Sequence, residues 1–137
     1  MTPEPNRNKA TVRRLVEEAI NCGRLEVIDE VYSPEAAAGA HDWIAPFRAS
    51  FPDVRMEIIE LIAEGDTVVG RFTCTATHTG TWLSHPPTGH RFERVDEVGI
   101  YRLRHAKITR AWTLEDNLSR LQQLGLIPPT PDSGAPP

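Results

Sequence analysis

The first third of the chain has the hydrophobic spacing of helices. Five apolar residues recur at intervals of three and four positions and so share one stripe of a helix: Val12, Leu15, Val16, Ala19 and Ile20. The stripe predicts a helix from about residue 8 to residue 22, followed by Gly23 in the left-handed conformation that ends many helices. A second, shorter helix should end before Pro34, because the residue before a proline is pushed out of the helical region.

Three aromatic residues predict a third helix. Trp43, Phe47 and Phe51 stand four positions apart, which stacks them on one side of a helix. Asp42 precedes them in the position of an N-terminal cap, and Pro52 follows where the helix must end. We therefore expect this helix to begin at Asp42.

From Val54 onward the hydrophobic period changes to two, which is typical of strands. The pattern predicts four strands, at about residues 54–64, 67–82, 92–103 and 107–114. Turns at Gly65-Asp66 and His105-Ala106 join the first pair and the last pair. Residues 117–124 are expected to add one short helix.

Helices followed by a run of mostly antiparallel strands indicate an α+β fold, in which the helices cover one face of a curved sheet. A strongly twisted sheet around a helix leaves a cone with an open mouth, and small ligands bind in such hollows. The length of 137 residues fits one domain, which we place at residues 1–126. The proline-rich remainder, residues 127–137, is expected to be a flexible tail.

Charge and composition disfavour several classes of protein. The 19 acidic and 15 basic residues are interspersed and give a net charge of −4, so nucleic acid is not an expected partner. The start, MTPEPNRNKA, has no apolar signal core and no later run has the length of a membrane span, so we expect a cytoplasmic protein with no membrane partner. Two cysteines form no zinc pattern, and no histidine pair lies at metal-binding spacing beside an acid, so no metal is expected.

The segment ITRAWTLED, residues 108–116, carries the first candidate chemistry. Under strict alternation Trp112, Leu114 and Asp116 share one face of the last strand, although one bulge would exchange the two faces. A carboxylate beside an indole in an apolar cleft has a raised pKa and is suited to giving and taking protons. The alternative is that Asp116 caps the helix that begins at Asn117, since aspartate favours that position.

A histidine and a pair of acids are further candidates. If Phe72 faces the interior, His78 shares its face and is placed to hydrogen-bond a carbonyl group; the alternative is an ordinary, satisfied strand histidine. Asp96 and Glu97 are adjacent in the third strand, so one of them should face the interior, where an acid would be functional. The alternative is that both acids lie at a solvated edge and pair with nearby arginines.

The order of several short motifs resembles the SnoaL-like polyketide cyclase (ester cyclase) family of the NTF2-like superfamily, over roughly residues 10 to 126. The motifs are Phe51-Pro52-Asp53, Gly65-Asp66, Thr77-His78-Thr79-Gly80, Pro87-Thr88-Gly89, Trp112 to Asp116, and Gln123-Leu124-Gly125. The resemblance implies a cone-shaped α+β barrel that dimerises through its sheet. For the enzymes of the family it implies cofactor-free aldol closure of a polyketide ring. The segment SPEAAAGAHD is shorter than the pocket-closing loop usual in the family.

The resemblance also implies roles for particular residues. Asp116 matches the proposed general acid/base, although a register slip of one residue would put Glu115 in its place. His78 matches a pocket residue, and we assign both Asp116 and His78 to catalysis. The apolar substrate is expected to contact seven residues: Trp43, Phe47, Phe72, Trp82, Tyr101, Trp112 and Leu114.

Three functional hypotheses follow. In the first, Asp116 removes a proton next to a carbonyl, and His78 or the Trp112 indole holds the enolate while it attacks a second carbonyl. In the second, the acid opens an epoxide or closes an oxygen ring, assisted by Arg71, Asp96 or Tyr101. In the third, the cone binds an apolar small molecule without catalysis, or serves dimerisation alone. None of the three requires a cofactor.

Overall fold

The computed structural model describes residues 4–131, in which helices come first and a four-stranded antiparallel sheet follows. The helices are α1 (Glu4–Arg14), which continues as a π-helical segment (Leu15–Asn21), α2 (Glu26–Val31), α3 (Pro34–Ser50) and α4 (Asn117–Gln123). The strands are β1 (Arg55–Glu64), β2 (Thr67–Thr77), β3 (Arg91–Arg104) and β4 (Lys107–Glu115), in the order β1-β2-β3-β4. The α+β fold expected from the sequence is confirmed.

One hydrophobic core lies between the inner face of the sheet and the helices. The stripe predicted in the first helix is buried throughout: Val12, Leu15, Val16, Ala19 and Ile20. The sheet contributes alternate residues of β2 to this core: Val68, Phe72, Cys74 and Ala76. Each large apolar side chain buried in this way stabilises the fold by about 1.5–3 kcal/mol. The apolar residues of the helical pattern and those of the strand pattern therefore pack together in one core.

Helix α3 begins at Pro34, with Ser33 as its N-cap residue. The expected start at Asp42 was wrong. Proline is tolerated in the first turn of a helix, where its missing backbone N–H has no partner to lose, and the alanine-rich stretch that follows has high helix propensity. The segment that was interpreted as a loop thus forms the first two turns of α3.

Strand β2 ends at Thr77 and not at residue 82, because the chain then turns to dock on the end of α3. The backbone N–H groups of Thr79 and Gly80 donate to the carbonyl oxygen of Ser50, at 3.1 and 3.0 Å. A Cβ atom at Gly80 would lie 2.4 Å from the carbonyl oxygen of Ala49, so this close approach requires glycine. The docking fixes the start of the loop between β2 and β3 against α3.

A bulge in β4 sets which side chains of that strand face the interior. Arg102 pairs with Arg110 but Leu103 pairs with Ile108, so Thr109 is an extra residue on β4. The bulge exchanges the faces expected from strict alternation. Beyond it Ala111, Thr113 and Glu115 lie on the inner face, and Trp112 and Leu114 lie on the outer one.

Two glycines that pair across β2 and β3 make room for aromatic rings. Gly70 lies opposite Gly99. A Cβ atom at Gly70 would lie 2.2 Å from Cζ of Phe72, and one at Gly99 would lie 2.6 Å from the Tyr101 hydroxyl oxygen. The rings of Phe72 and Tyr101 therefore lie back across the sheet over the residues two positions before them.

The end of the described chain has neither helix nor strand in residues 127–131, although Gln122 Nε2 donates to Thr130 Oγ1 at 2.7 Å. The rest of the predicted tail, residues 132–137, lies outside the described residues. The domain limits of 1–126 and the flexibility of the tail remain predictions. Within residues 4–131, every helix is too short or too polar to cross a membrane.

The glycine pair provides a test of this packing. Gly70→Ala should lower the free energy of unfolding by about 1–3 kcal/mol, because the added methyl group overlaps the Phe72 ring. Gly39→Ala is the control: no atom lies within 4 Å of its Cβ position in α3, and helix propensity predicts a gain of about 1 kcal/mol. Urea unfolding measures both. A Gly70→Ala protein as stable as the wild type would contradict the close approach.

Candidate active site

A fully buried arginine organises the mouth of the cone. Arg120, in α4, has no solvent exposure. Its Nη2 lies 2.7 Å from Oε2 of Glu97 on β3, and its Nη1 lies 3.1 Å from Oε1 of Glu115 on β4. Glu97 and Glu115 are direct partners across the two strands. One guanidinium group therefore holds two carboxylates side by side.

Aromatic rings surround the same guanidinium group. Its Cζ atom lies 4.7 Å from the ring centroid of Phe92, 5.5 Å from that of Phe47 and 5.9 Å from that of Trp82. The ring faces attract a cation and exclude water from it. Because the charge is desolvated, its attraction for Glu97 and Glu115 is stronger than that of an exposed pair.

The environment shifts the proton equilibrium of Glu97. Burial, and after it the neighbouring Glu115 carboxylate, raise the pKa of Glu97, while Arg120 lowers it; together they raise the pKa of Glu97 to about 7. The side chain of Glu97 is 11% exposed and that of Glu115 is 33% exposed. Two carboxylates that share one guanidinium group carry more negative charge than it neutralises, which favours one retained proton near neutral pH.

Both carboxylates line an inner cavity of about 320 Å³. Its wall is formed by Trp43, Met56, Phe72, Glu97, Val98, Tyr101, Thr113 and Glu115. Burial raises the pKa of Tyr101, with further contributions from Tyr32 and Glu97, so its phenol stays protonated at neutral pH. Among residues 4–131, no group of three His, Cys, Asp or Glu side chains is arranged to hold a metal ion. The cavity thus offers two acids, one phenol and apolar walls.

A second, more open cleft of about 590 Å³ lies between α3 and the loop that follows β2. Its lining consists of Trp43, Pro46, Phe47, Ala49, Ser50, Thr81, Trp82, Leu83 and Glu115. Trp43 and Glu115 line both hollows. We refer to the two hollows as the inner cavity and the outer cleft.

Asp116 is not in either hollow. It is exposed, and its Oδ1 accepts a hydrogen bond from the backbone N–H of Ser119 at 3.0 Å, so it caps α4. The expected position in an apolar cleft was wrong, because the bulge at Thr109 turns Glu115 inward in its place. The alternative interpretation of Asp116, as the helix cap, is the one that the structure shows.

The outer face of the sheet carries four further residues considered as candidates. Trp112 and Leu114 are 55% and 59% exposed there, so neither contacts the inner cavity. Arg71 and Asp96 face the same side, where their side chains lie 3.9 Å apart as an exposed pair. Leu114 and Asp116 border a separate open depression of about 420 Å³ on this face. The placement of Trp112 and Leu114 in a substrate pocket inside the cone was therefore wrong.

His78 lies in the core, away from the inner cavity and the outer cleft. Its Nδ1 accepts a hydrogen bond from the backbone N–H of Thr88 at 3.2 Å, and its ring lies 5.5 Å from that of Phe51. Burial lowers the pKa of His78, so the ring is neutral at neutral pH. The structure does not bring His78 and Asp116 together.

The structure does bring five of the predicted substrate contacts to the hollows. Phe72 and Tyr101 line the inner cavity, Phe47 and Trp82 line the outer cleft, and Trp43 lines both. Of the two adjacent acids of β3, Asp96 and Glu97, the one that faces the interior is Glu97.

The role of Arg120 was not predicted from the sequence. The sequence does contain one indication, which is the position of Arg120 in NLSRLQQL. Arg120 is next to Leu121 and four positions before Leu124, so it lies on the apolar side of the helix.

Comparison with known proteins agrees with this architecture. The family model described as SnoaL-like polyketide cyclase matches residues 10–124. DnrD, the aklanonic acid methyl ester cyclase of Streptomyces peucetius, is 31% identical over 119 residues, which cover 87% of this chain and 80% of that protein.

Two crystal structures have the same fold. AclR from Streptomyces galilaeus, a candidate hydroxylase, has a TM-score of 0.83 and 27% identity, covering 94% of this chain and 87% of that chain. IdmH from Streptomyces antibioticus, a candidate polyketide cyclase, has a TM-score of 0.76 and 28% identity, covering 86% of this chain and 98% of that chain. Because the family model matches residues 10–124, which are most of the chain, this chain belongs to the SnoaL-like polyketide cyclase family.

Proposed function

We propose that this protein is a cofactor-independent cyclase that closes a ring of a polyketide-like small molecule by an intramolecular aldol reaction, with Glu97 and Glu115 as its acid/base pair. The family of the chain supports a cyclase. The observation that carries the assignment is the pair of carboxylates held on Arg120 in the wall of the inner cavity. Family membership supports the reaction class, and the geometry supports the residues.

The steps follow from the different exposure of the two acids. Glu115, the more exposed one, removes a proton from the carbon next to a carbonyl group and generates an enolate. The enolate carbon attacks a second carbonyl of the same molecule, and a carbon–carbon bond forms. Protonated Glu97 donates its proton to the new alkoxide. Proton transfer from Glu115 back to Glu97 restores the starting state, so the reaction is an isomerisation that gains and loses no atoms.

Tyr101 is proposed as the donor that stabilises the enolate oxygen. Its hydroxyl group lies above Gly99 in the wall of the inner cavity. A preorganised donor in a water-poor site stabilises developing negative charge more strongly than water does. Apolar walls such as Phe72 hold the substrate folded, so that its two reacting carbons meet.

The acid/base pair can be tested by amide substitution. Glu97→Gln and Glu115→Gln should each lower kcat by a factor of about 10²–10⁴, because each removes one proton-transfer step. The first substrate to assay is aklanonic acid methyl ester, which the name of the Streptomyces peucetius relative suggests. Product formation followed by chromatography gives the rate.

Asp116→Asn is the control for the acid/base pair, because asparagine also caps helices. Its turnover should stay close to that of the wild type. Loss of turnover in Asp116→Asn with normal rates in both glutamine variants would contradict the proposal and support the role that the family resemblance implied for Asp116.

The raised pKa of Glu97 predicts how stability depends on pH. The folded state keeps this proton up to about pH 7, whereas the unfolded chain releases it near pH 4.5, so the folded state binds more protons between these values. Stability should therefore fall as pH rises through the window, by at most about 1.4 kcal/mol per pH unit. Urea unfolding at several pH values measures the slope. In Glu97→Gln the contribution should disappear; an unchanged slope in that variant would refute the assignment.

We also propose that the protein forms a homodimer through the outer face of the sheet. Four apolar residues pair side by side across all four strands on this face: Ile62, Val69, Ile100 and Trp112. Ile62 is 58% exposed and Trp112 is 55% exposed. Exposed Arg71 and Asp96 border the row, so a copy related by a two-fold axis can bring opposite charges together. A continuous apolar row of this kind is suited to sheet-on-sheet packing.

The dimer is tested by placing a charge in the row. Trp112→Lys should convert the protein to a monomer, because an unpaired ammonium group in the centre of an apolar interface loses its hydration. Leu118→Lys, at an equally exposed leucine of α4 outside the row, should leave the dimer intact. Light scattering coupled to size-exclusion chromatography gives the mass. A monomeric wild-type protein would disprove the interface.

A further inference from the structure

We propose that the outer cleft is a second lobe of the active site, which binds a flat apolar extension of the ligand while the inner cavity holds the part that reacts. Leu83 is then a residue that determines specificity for the length of the ligand. The inference rests on the proposed function of the inner cavity, because it assigns the acids there to the reacting part.

The two hollows share two lining residues. Trp43, which is 44% exposed, and Glu115 line both of them. Glu115 binds Arg120, and the guanidinium group of Arg120 in turn lies against Phe47 and Trp82, which line the outer cleft. A ligand that reaches Glu115 from the inner cavity is therefore already at the edge of the outer cleft.

The lining of the outer cleft selects the chemistry of its occupant. Trp43, Phe47, Trp82 and Leu83 offer aromatic and aliphatic surface. Among the described residues that line it, Glu115 is the single charged one, and Glu115 lines the inner cavity as well. Aromatic side chains bind flat apolar groups through stacked and edge contacts. The extension is therefore expected to be uncharged and planar.

Leu83 is held in an unusual conformation at the rim of the outer cleft. Its φ is +47° and that of Ser84 is +67°, a left-handed region in which leucine is strained. Its side chain is 67% exposed, so burial in the core does not account for the conformation. The backbone is fixed by reciprocal hydrogen bonds between Trp82 and His85, of 3.0 and 2.8 Å. A ligand that covers Leu83 removes its apolar surface from water.

Two probes that differ by one ring test the second lobe in the full-length protein. These are 2-naphthol and 6-phenyl-2-naphthol, and probe fluorescence gives each Kd. The wild type should bind the longer probe about tenfold more tightly, because six more atoms are buried. Leu83→Glu should abolish this preference and change the Kd of 2-naphthol by less than about twofold. Leu118→Glu, at a comparably exposed leucine outside the cleft, should keep the preference.

Equal binding of the two probes by the wild type, or a preference that Leu83→Glu leaves unchanged, overturns the second lobe. Loss of affinity for both probes in Leu83→Glu also overturns it, since the two lobes would then be one site. The measurement requires no turnover, so its result stays separate from that of the proposed reaction.

Discussion

The ion pairs of Arg120 constrain most of the candidate active site. A guanidinium group with no solvent exposure requires negative partners, and removing one side of a buried pair of this kind costs about 3–5 kcal/mol. Both partners come from neighbouring strands, Glu97 from β3 and Glu115 from β4. The last helix is thereby tied to the sheet at the mouth of the cone. Asp116 supports the arrangement from outside, because its cap fixes where α4 begins.

The same ion pairs give the site its chemistry. Arg120 carries one positive charge, and the two carboxylates would carry two negative ones in a place with little water. The structure accommodates the imbalance by raising the pKa of Glu97, so that a proton is retained near neutral pH. In the proposed reaction these two side chains of identical chemical type take the acid role and the base role, in keeping with their different exposure. Stability and the proposed proton transfer would thus depend on one cluster, in which a charged group occupies a position that leucine would fill in an ordinary core.

Local patterns predicted the secondary structure better than they predicted the site. The helical stripe from Val12 to Ile20 and the strand periods depend on residues that are close in sequence, and the structure has them. The start of α3 was misplaced because a proline and an alanine run were interpreted as a loop. Asp116 was misplaced because a single extra residue, Thr109, changes the face of every later residue in β4.

Local patterns did not reveal the role of Arg120, because one of its carboxylate partners is distant in sequence and the other, Glu115, faces it only through the bulge in β4. Glu97 is 23 residues away along the chain. Two interpretations of the adjacent acids of β3 were open, and each holds for one of them: Asp96 pairs with Arg71 on the outer face, whereas Glu97 faces the interior and pairs with Arg120. Which acid of this segment faces the inner cavity thus depends on strand register and not on the composition of the segment. If Thr109 instead took a regular place in the ladder, with no bulge, every later residue of β4 would change face, so Leu114 would face inward and Arg120 would lose Glu115, although no residue type would be changed. The register of one strand therefore decides which acid chemistry this fold can hold.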